Sequence, residues 1–359
     1  MVYNRWYMKS TTASHKQLGF GIISLSAIGL IGALLLGLGG QVTPTEALAT
    51  PTATNGRLVA YTRGIDSNGD GIFLGGSAEE AGTDIYVKDI TTNDPPVMVN
   101  APNNVLDITP SFSPDGTKIT WSSAATPNGS LDIMVKDLKT GVVTNLTNTP
   151  KGTNERWPNW SNDGKQIVYN RKDGKNNLDI WIMNADGSNP HYVAGYQGAG
   201  KYAEDCCASF TPDDKAVIFA SNRLGNFNIY RYNLSRVSSR ENSTYLRQLT
   251  SLRPYEGTPS VEATGTVVYR YGGNQQMYRL NPYTARITSS LITTPGQIRT
   301  PQGTPDGMGL IFGWRESSLT QLDIMMSDAN GNSMVNLTNT PDYSETDPAL
   351  QPIPNAKKN

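Results

Sequence analysis

Residues 109–150 read TPSFSPDGTKITWSS (109–123), LDIMVKDLKTG (131–141) and VVTNLTNTP (142–150). Each run is short and alternates apolar with polar residues, a period of two that belongs to strands. SPDG and KTG separate the runs with tight-turn residues. The pattern then repeats as WPNWSNDGKQIVYNR (157–171) with LDIWIMNADGS (178–188), and as CASFTPDDKAVIFASNR (207–223) with FNIYRYN (227–233). A worn copy, TPSVEATGTVVYRYGG (258–273), precedes TPQGTPDGMGLIFGWRE (300–316), which leads to a second NLTNTP (336–341). The anchors Pro110, Pro158, Ala208, Pro259, Pro301 and Pro348 stand 48, 50, 51, 42 and 47 residues apart. Four short strands per unit of this period predict the blades of a β-propeller.

Within the units an aromatic recurs on the second strand, at Tyr61, Trp121, Tyr169, Phe219, Tyr269 and Phe312. An apolar residue recurs on the third, at Ile85, Ile133, Ile180, Ile229, Met277 and Ile324. Both sets are expected to pack between neighbouring blades. Residues 57–100 hold strands two to four of a unit without a first strand, and DPALQP (347–352) supplies the missing one. The expected fold is therefore all-β, a six-bladed propeller over 57–352 closed by the C-terminal strand, with a polar tail at 353–359. Closure removes the exposed sheet edges.

Ahead of the ring, Arg5, Lys9 and Lys16 precede the uncharged run Leu18–Gly40, and Ala47-Leu48-Ala49 follows as a small-x-small pattern. Basic region, apolar run and cleavage pattern in that order describe an export signal. The run is also long enough to stay as a membrane anchor. Residues 1–49 are thus expected to be a signal peptide or an anchor helix, and 50–56 a short linker. Either reading places the remainder in the periplasm or outside the cell, touching membrane only through the N-terminal segment.

The pattern P-x-[FW]-S-[PN]-D-G, followed by I-x-[WYF] and [DN]-I-[YMW], resembles the TolB family of β-propeller repeats, most closely over FTPDDKAVIFASNRLGNFNIYRYN (210–233). The resemblance implies six blades and a protein-interaction scaffold at the cell envelope. TolB carries an α/β domain ahead of its propeller, where this chain has about seven residues between Ala49 and the first blade. Roles resting on that domain are not implied.

Composition excludes several classes of function. The formal net charge of −1 offers no basic field for a nucleic acid. The two cysteines, Cys206 and Cys207, are adjacent, so no disulfide framework or CxxC metal site exists. The only histidine beyond residue 49 is His191, and 50–359 contains no GxSxG, HExxH or P-loop. Nothing there calls for a catalytic residue, although a carboxylate-only glycosidase needs only paired acids.

Four features suggest a site. Three residues before the anchors stand Asp107, Glu155, Asp205, Glu256, Ile298 and Glu345, with Arg156, Glu204 and Asp347 close by. Five acids in register predict an acidic rim at one channel mouth, which would bind a cation or a basic segment of an envelope protein; the competing expectation is that each carboxylate caps local backbone groups. Arg63, Arg171, Arg223 and Arg315 at second-strand exits would, in a sugar-binding propeller, meet an acidic polysaccharide, or else pair with local acids. In the loop after the first strand of the chain, Asp66, Asn68 and Asp70 with the Ile72 carbonyl resemble a calcium loop, the only cofactor suggested, although position twelve is Ser77 instead of Glu. Cys206-Cys207 opens a first strand beside the same mouth and is expected either to close a vicinal disulfide or to stay as two half-buried thiols. NLTNTP (145–150 and 336–341) matches a glycosylation sequon and equally a turn.

Overall fold

The computed structural model describes residues 57–352 apart from 65–81, 102–104, 127–128, 174–176, 196–202, 235–244, 252–254, 273–275, 293–295 and 318–319. The N-terminal segment, the linker, the C-terminal tail and the Asp66–Ile72 loop lie outside the described residues. No helix among the described residues is long and apolar enough to cross a membrane.

Among the described residues, twenty-four strands form six four-stranded antiparallel sheets. Blade 1 contains β1 (Leu58–Gly64), β2 (Asp84–Asp89) and β3 (Val97–Met98). Blade 2 is β4 (Asp107–Phe112), β5 (Lys118–Ser123), β6 (Asp132–Asp137) and β7 (Val143–Asn145). Blade 3 is β8 (Thr153–Trp160), β9 (Gln166–Asp173), β10 (Asp179–Asn184) and β11 (His191–Ala194). Blade 4 is β12 (Asp205–Phe210), β13 (Ala216–Ser221), β14 (Asn228–Asn233) and β15 (Leu246–Gln248). Blade 5 is β16 (Glu256–Val261), β17 (Val267–Tyr271), β18 (Gln276–Leu280) and β19 (Ile287–Ile292). Blade 6 is β20 (Gln297–Gly303), β21 (Gly309–Arg315), β22 (Asp323–Asp328) and β23 (Val335–Asn336). The last strand, β24 (Ser344–Leu350), pairs antiparallel with β1 and completes blade 1, as the sequence predicts. The six first strands touch in a closed cycle, β24 to β4, β8, β12, β16, β20 and back.

The core is divided by the ring into six packets, one at each blade interface. Every packet joins the second-strand aromatic of one blade to the third-strand apolar residue of the blade before it. Trp121 packs in one cluster with Ile85, Tyr169 with Ile133, and Phe219 with Ile180. Tyr269 packs with Ile229, Phe312 with Met277, and Tyr61 with Ile324. All twelve side chains are at most 2% exposed. Burying a side chain of this size stabilises the fold by roughly 1.5–3 kcal/mol, so the repeat supplies the same contribution six times.

Tight turns between first and second strands add polar locks. In SPDG of blade 2, Ser113 Oγ donates to Asp115 Oδ1 at 2.5 Å, and the Thr117 amide donates to the same carboxylate oxygen at 3.0 Å. Gly116 adopts φ +69°, and a Cβ there would stand 3.0 Å from the Gln351 side chain. Gln351 just beyond β24 donates to the Gly116 carbonyl at 2.8 Å and so ties the closing blade to blade 2.

Candidate binding site on the channel axis

The residue before a proline is ordinarily held extended by the ring that follows. Here the residue before each anchor has positive φ: Thr109 (57°), Trp157 (52°), Cys207 (59°), Thr258 (47°), Thr300 (38°) and Asp347 (52°). At each one the ladder to the second strand slips. Ile108 pairs with Ser122 and Ser111 with Thr120, so Thr109 and Pro110 together oppose Trp121. The same two-against-one bulge faces Tyr169, Phe219, Tyr269, Phe312 and Tyr61. Proline fits a bulge because it has no N–H to give the ladder. A positive φ costs an L-residue about 1–3 kcal/mol and persists only where the surroundings impose it. Three of the freed amides are claimed by a side chain of the preceding blade. Thr109 N–H donates to Thr62 Oγ1 at 3.0 Å, Cys207 N–H to Asn170 Oδ1 at 3.2 Å, and Asp347 N–H to Thr300 Oγ1 at 3.0 Å.

The six bulges turn these residues onto the axis. They and their neighbours line a cavity of about 70 Å³ to which every first strand contributes. Trp157, Cys207, Thr258, Thr300 and Asp347 are half-buried there. Asp347 is the one formally charged lining residue. Its Oδ2 accepts from Thr62 Oγ1 at 3.4 Å. Burial pushes its carboxyl up to about 6, against the Thr300 and Thr62 hydrogen bonds and the Arg299 charge.

The five acids predicted to form a rim occupy equivalent places in five of the six blades but are enclosed, none more than 1% exposed. Asp107 accepts from Trp121 Nε1 at 2.8 Å and from Asn100 Nδ2 of the preceding blade at 3.1 Å. Glu155 accepts from Thr149 Oγ1 of blade 2 at 2.9 Å and stands 3.8 Å from Arg171. Asp205 receives Arg223 Nη2 on both oxygens, at 2.9 and 3.0 Å. Glu345 accepts from Thr340 Oγ1 of blade 6 at 2.6 Å and pairs with Arg63 at 2.9 Å. Glu256 is buried beside Tyr269, whose phenol it helps push up after burial itself. Where Asp107, Glu155 and Glu345 stand, the carboxylate joins the second strand of its own blade to the fourth-strand exit of the blade before. Burial pushes Glu155 up to about 8, reinforced by nearby Asp132 and opposed by Thr149 and Arg171. Burial likewise raises Glu345 to about 7, opposed by Thr340 and Arg63.

The same clamp explains NLTNTP. Asn145 Nδ2 donates to Asp132 at 2.7 Å, Thr147 Oγ1 accepts from the Ile133 amide at 3.0 Å, and Thr149 reaches Glu155. Blade 6 repeats it with Asn336 on Asp323 at 2.8 Å, Thr338 on the Ile324 amide at 3.0 Å, and Thr340 on Glu345. The two sequon asparagines are turn and clamp residues.

The family model of the TolB beta propeller domain matches residues 76–248. Among solved structures, TolB from Acinetobacter baumannii superposes with a TM-score of 0.65 at 23% identity, over 83% of this chain and 67% of that one. A putative TolB from Agrobacterium tumefaciens gives a TM-score of 0.57 at 14% identity, over 84% of this chain and all (100%) of that one. The chain is a six-bladed β-propeller whose fold is similar to that of TolB. Hydrazine synthase from Kuenenia stuttgartiensis shares the fold as well, with a TM-score of 0.63 at 12% identity over 83% of this chain and 47% of that one. No curated protein matches the chain. One fold hosting such different proteins leaves function to the site.

In this TolB-like propeller the second-strand arginines are already engaged. Arg63 lies 4.5 Å from the Tyr86 ring centroid, Arg171 4.6 Å from Trp181, and Arg223 5.0 Å from Tyr230, while Arg315 Nη2 donates to Gln297 Oε1 at 2.6 Å. Cys206 is buried, Cys207 is half-buried, and both are free thiols. His191 Nδ1 meets the Asn189 carbonyl at 3.0 Å. No group of three or more His, Cys, Asp or Glu among the described residues could hold a metal ion. Sequence reasoning marked Pro110 and its equivalents as anchors but missed the bulge before them. The signal was present as a recurrent x-Pro inside a strand, a place where proline belongs only at an edge or a bulge.

Proposed function

We propose that the protein is an exported, non-catalytic interaction scaffold at the cell envelope, whose axial cavity receives a side chain or short segment of a partner protein. The observation that carries this reading is the cavity itself, built from all six first strands at strained, non-glycine positions. Strain of this kind concentrates at sites that orient side chains. The TolB-like fold supports a scaffold role, and the order of basic, apolar and small residues in 1–49 supports export to the periplasm or beyond. The lining mixes hydroxyl, thiol, indole and proline surface with one carboxylate, Asp347, which favours a basic or hydrogen-bond-donating group. A cavity of about 70 Å³ is small beside the roughly 300–1,000 Å³ of typical small-molecule sites, which weighs against a polysaccharide as the main ligand.

A photo-crosslinking residue placed at Thr258 in the living cell tests this. A discrete polypeptide adduct is expected, with none from the same probe at Val143, an exposed position on β7. Binding on a glycan array, or turnover of a polysaccharide by the purified protein, would sink the scaffold reading.

A further inference from the structure

Neighbouring side chains in a regular strand point to opposite faces. In β12 the bulge falls between Cys206 and Ser209, and Cys207 takes φ +59°. Cys206 sits in the packet of Ile218, Ala220, Ile229 and Tyr269, and Cys207 and Trp157 pack against that same packet. Cys207 and Trp157 also line the axial cavity. The bulge therefore leaves two thiols on one side of the strand, one sealed in the core and the other open to the axis. Cys207 packs against the packet that holds Cys206, and the neighbouring thiol together with burial pushes Cys206 well above the usual thiol range.

We propose that Cys206 and Cys207 are a thiol-modification site of the axial cavity, at which a small disulfide oxidises the pair to a vicinal disulfide. Cys207 reacts first because it alone is accessible. Its thiol loses a proton, the thiolate attacks one sulfur of the reagent R–S–S–R, and RS⁻ leaves. Cys206, already in contact, then loses its proton and attacks the Cys207 sulfur, expelling the second RS⁻. The two protons go to the two RS⁻ groups. Two protein thiols are oxidised by two electrons, and one small disulfide is reduced to two thiols. Adjacent Cα atoms stand about 3.8 Å apart, closer than in ordinary disulfides, so the ring closes with strain and remains easy to reduce.

The test treats the purified full chain with glutathione disulfide, alkylates it without unfolding, and measures its intact mass. The wild type is expected to lose the mass of two hydrogens, carry no glutathione, resist alkylation at both cysteines, and recover both thiols with dithiothreitol. Cys206→Ser is expected to hold a lasting glutathione adduct on Cys207, and Cys207→Ser to leave Cys206 unreactive while folded. Trp157 emission should shift on oxidation of the wild type and not of Trp157→Phe. A lasting glutathione adduct on the wild type would overturn the proposal. So would two thiols that stay alkylatable after prolonged treatment, or Cys206 reacting as readily as Cys207.

Discussion

Two rings run through this molecule, and they are built on opposite plans. The outer ring of blade interfaces repeats its chemistry: an aromatic against an aliphatic side chain, six times. The inner ring repeats only its backbone. The same left-handed bulge presents Thr109, Trp157, Cys207, Thr258, Thr300 and Asp347 to the axis. The rings are coupled, because each bulge faces the aromatic of the outer ring across the first two strands. A constant packing layer thus holds a constant backbone on which the side chains are free to differ.

Breaking the outer ring should have the largest effect. Trp121→Ala removes a fully buried side chain and the indole that donates to Asp107, and should cost about 3–5 kcal/mol in urea unfolding. Trp157→Ala on the inner ring removes a half-buried side chain and should cost clearly less. Equal losses would mean that the inner ring is packing too.

The buried ion pair of blade 4 comes next. Arg223→Ala leaves Asp205 enclosed without its partner and should cost about 3 kcal/mol. Adding Asp205→Asn should recover much of that loss, because no charge is then stranded. A double variant as unstable as the single one would show that Arg223 acts through its stacking on Tyr230 alone.

The clamps should also show in the pH dependence. Glu155 and Glu345 are held above the usual carboxylate range, at about 8 and about 7. The folded state therefore binds protons that the unfolded chain has released, and stability falls as pH rises from about 4.5 to about 8. Glu155→Gln should flatten part of that fall in a series of thermal melts and be at least as stable as the wild type at pH 8. Asp163, held low by the Lys165 amide and the Ser161 hydroxyl, has the opposite sign and loses its contribution only in acid. A Glu155→Gln profile parallel to the wild type would contradict the clamp.

The smallest expected effect separates strain from packing. Thr258 has φ 47°, and its hydroxyl has no hydrogen-bond partner. Thr258→Gly relieves the left-handed penalty while freeing the unfolded chain, so stability should change by less than about 1 kcal/mol in either direction. A loss well beyond that would give the Thr258 side chain a packing role.

The ring was legible because its determinants are local and repeated. The alternation around Trp121 and the SPDG turn follow from residues within one unit, and the first strand donated by 347–352 from its match to the first strands of the other five. The acids were legible in register and not in setting. Asp107 and Glu345 read as a charged rim because the residues that enclose them, Asn100 and Thr340, belong to the blade before and to fourth-strand exits with little pattern of their own. The calcium-loop reading of Asp66, Asn68 and Asp70 stays an expectation.

The sequence by itself determined six blades, their closure and the identity of the packing layer, since a period of two within a period of about 47 admits few other folds. Only the tertiary structure decided the conformation of the residue before each anchor. The local rule for x-Pro asks for an extended backbone, and contacts from the neighbouring blade, such as Thr62 on the Thr109 amide, override it. That override turns Trp157, Cys207 and Asp347 onto one axis, where residues some 50 to 190 positions apart meet in a single cavity.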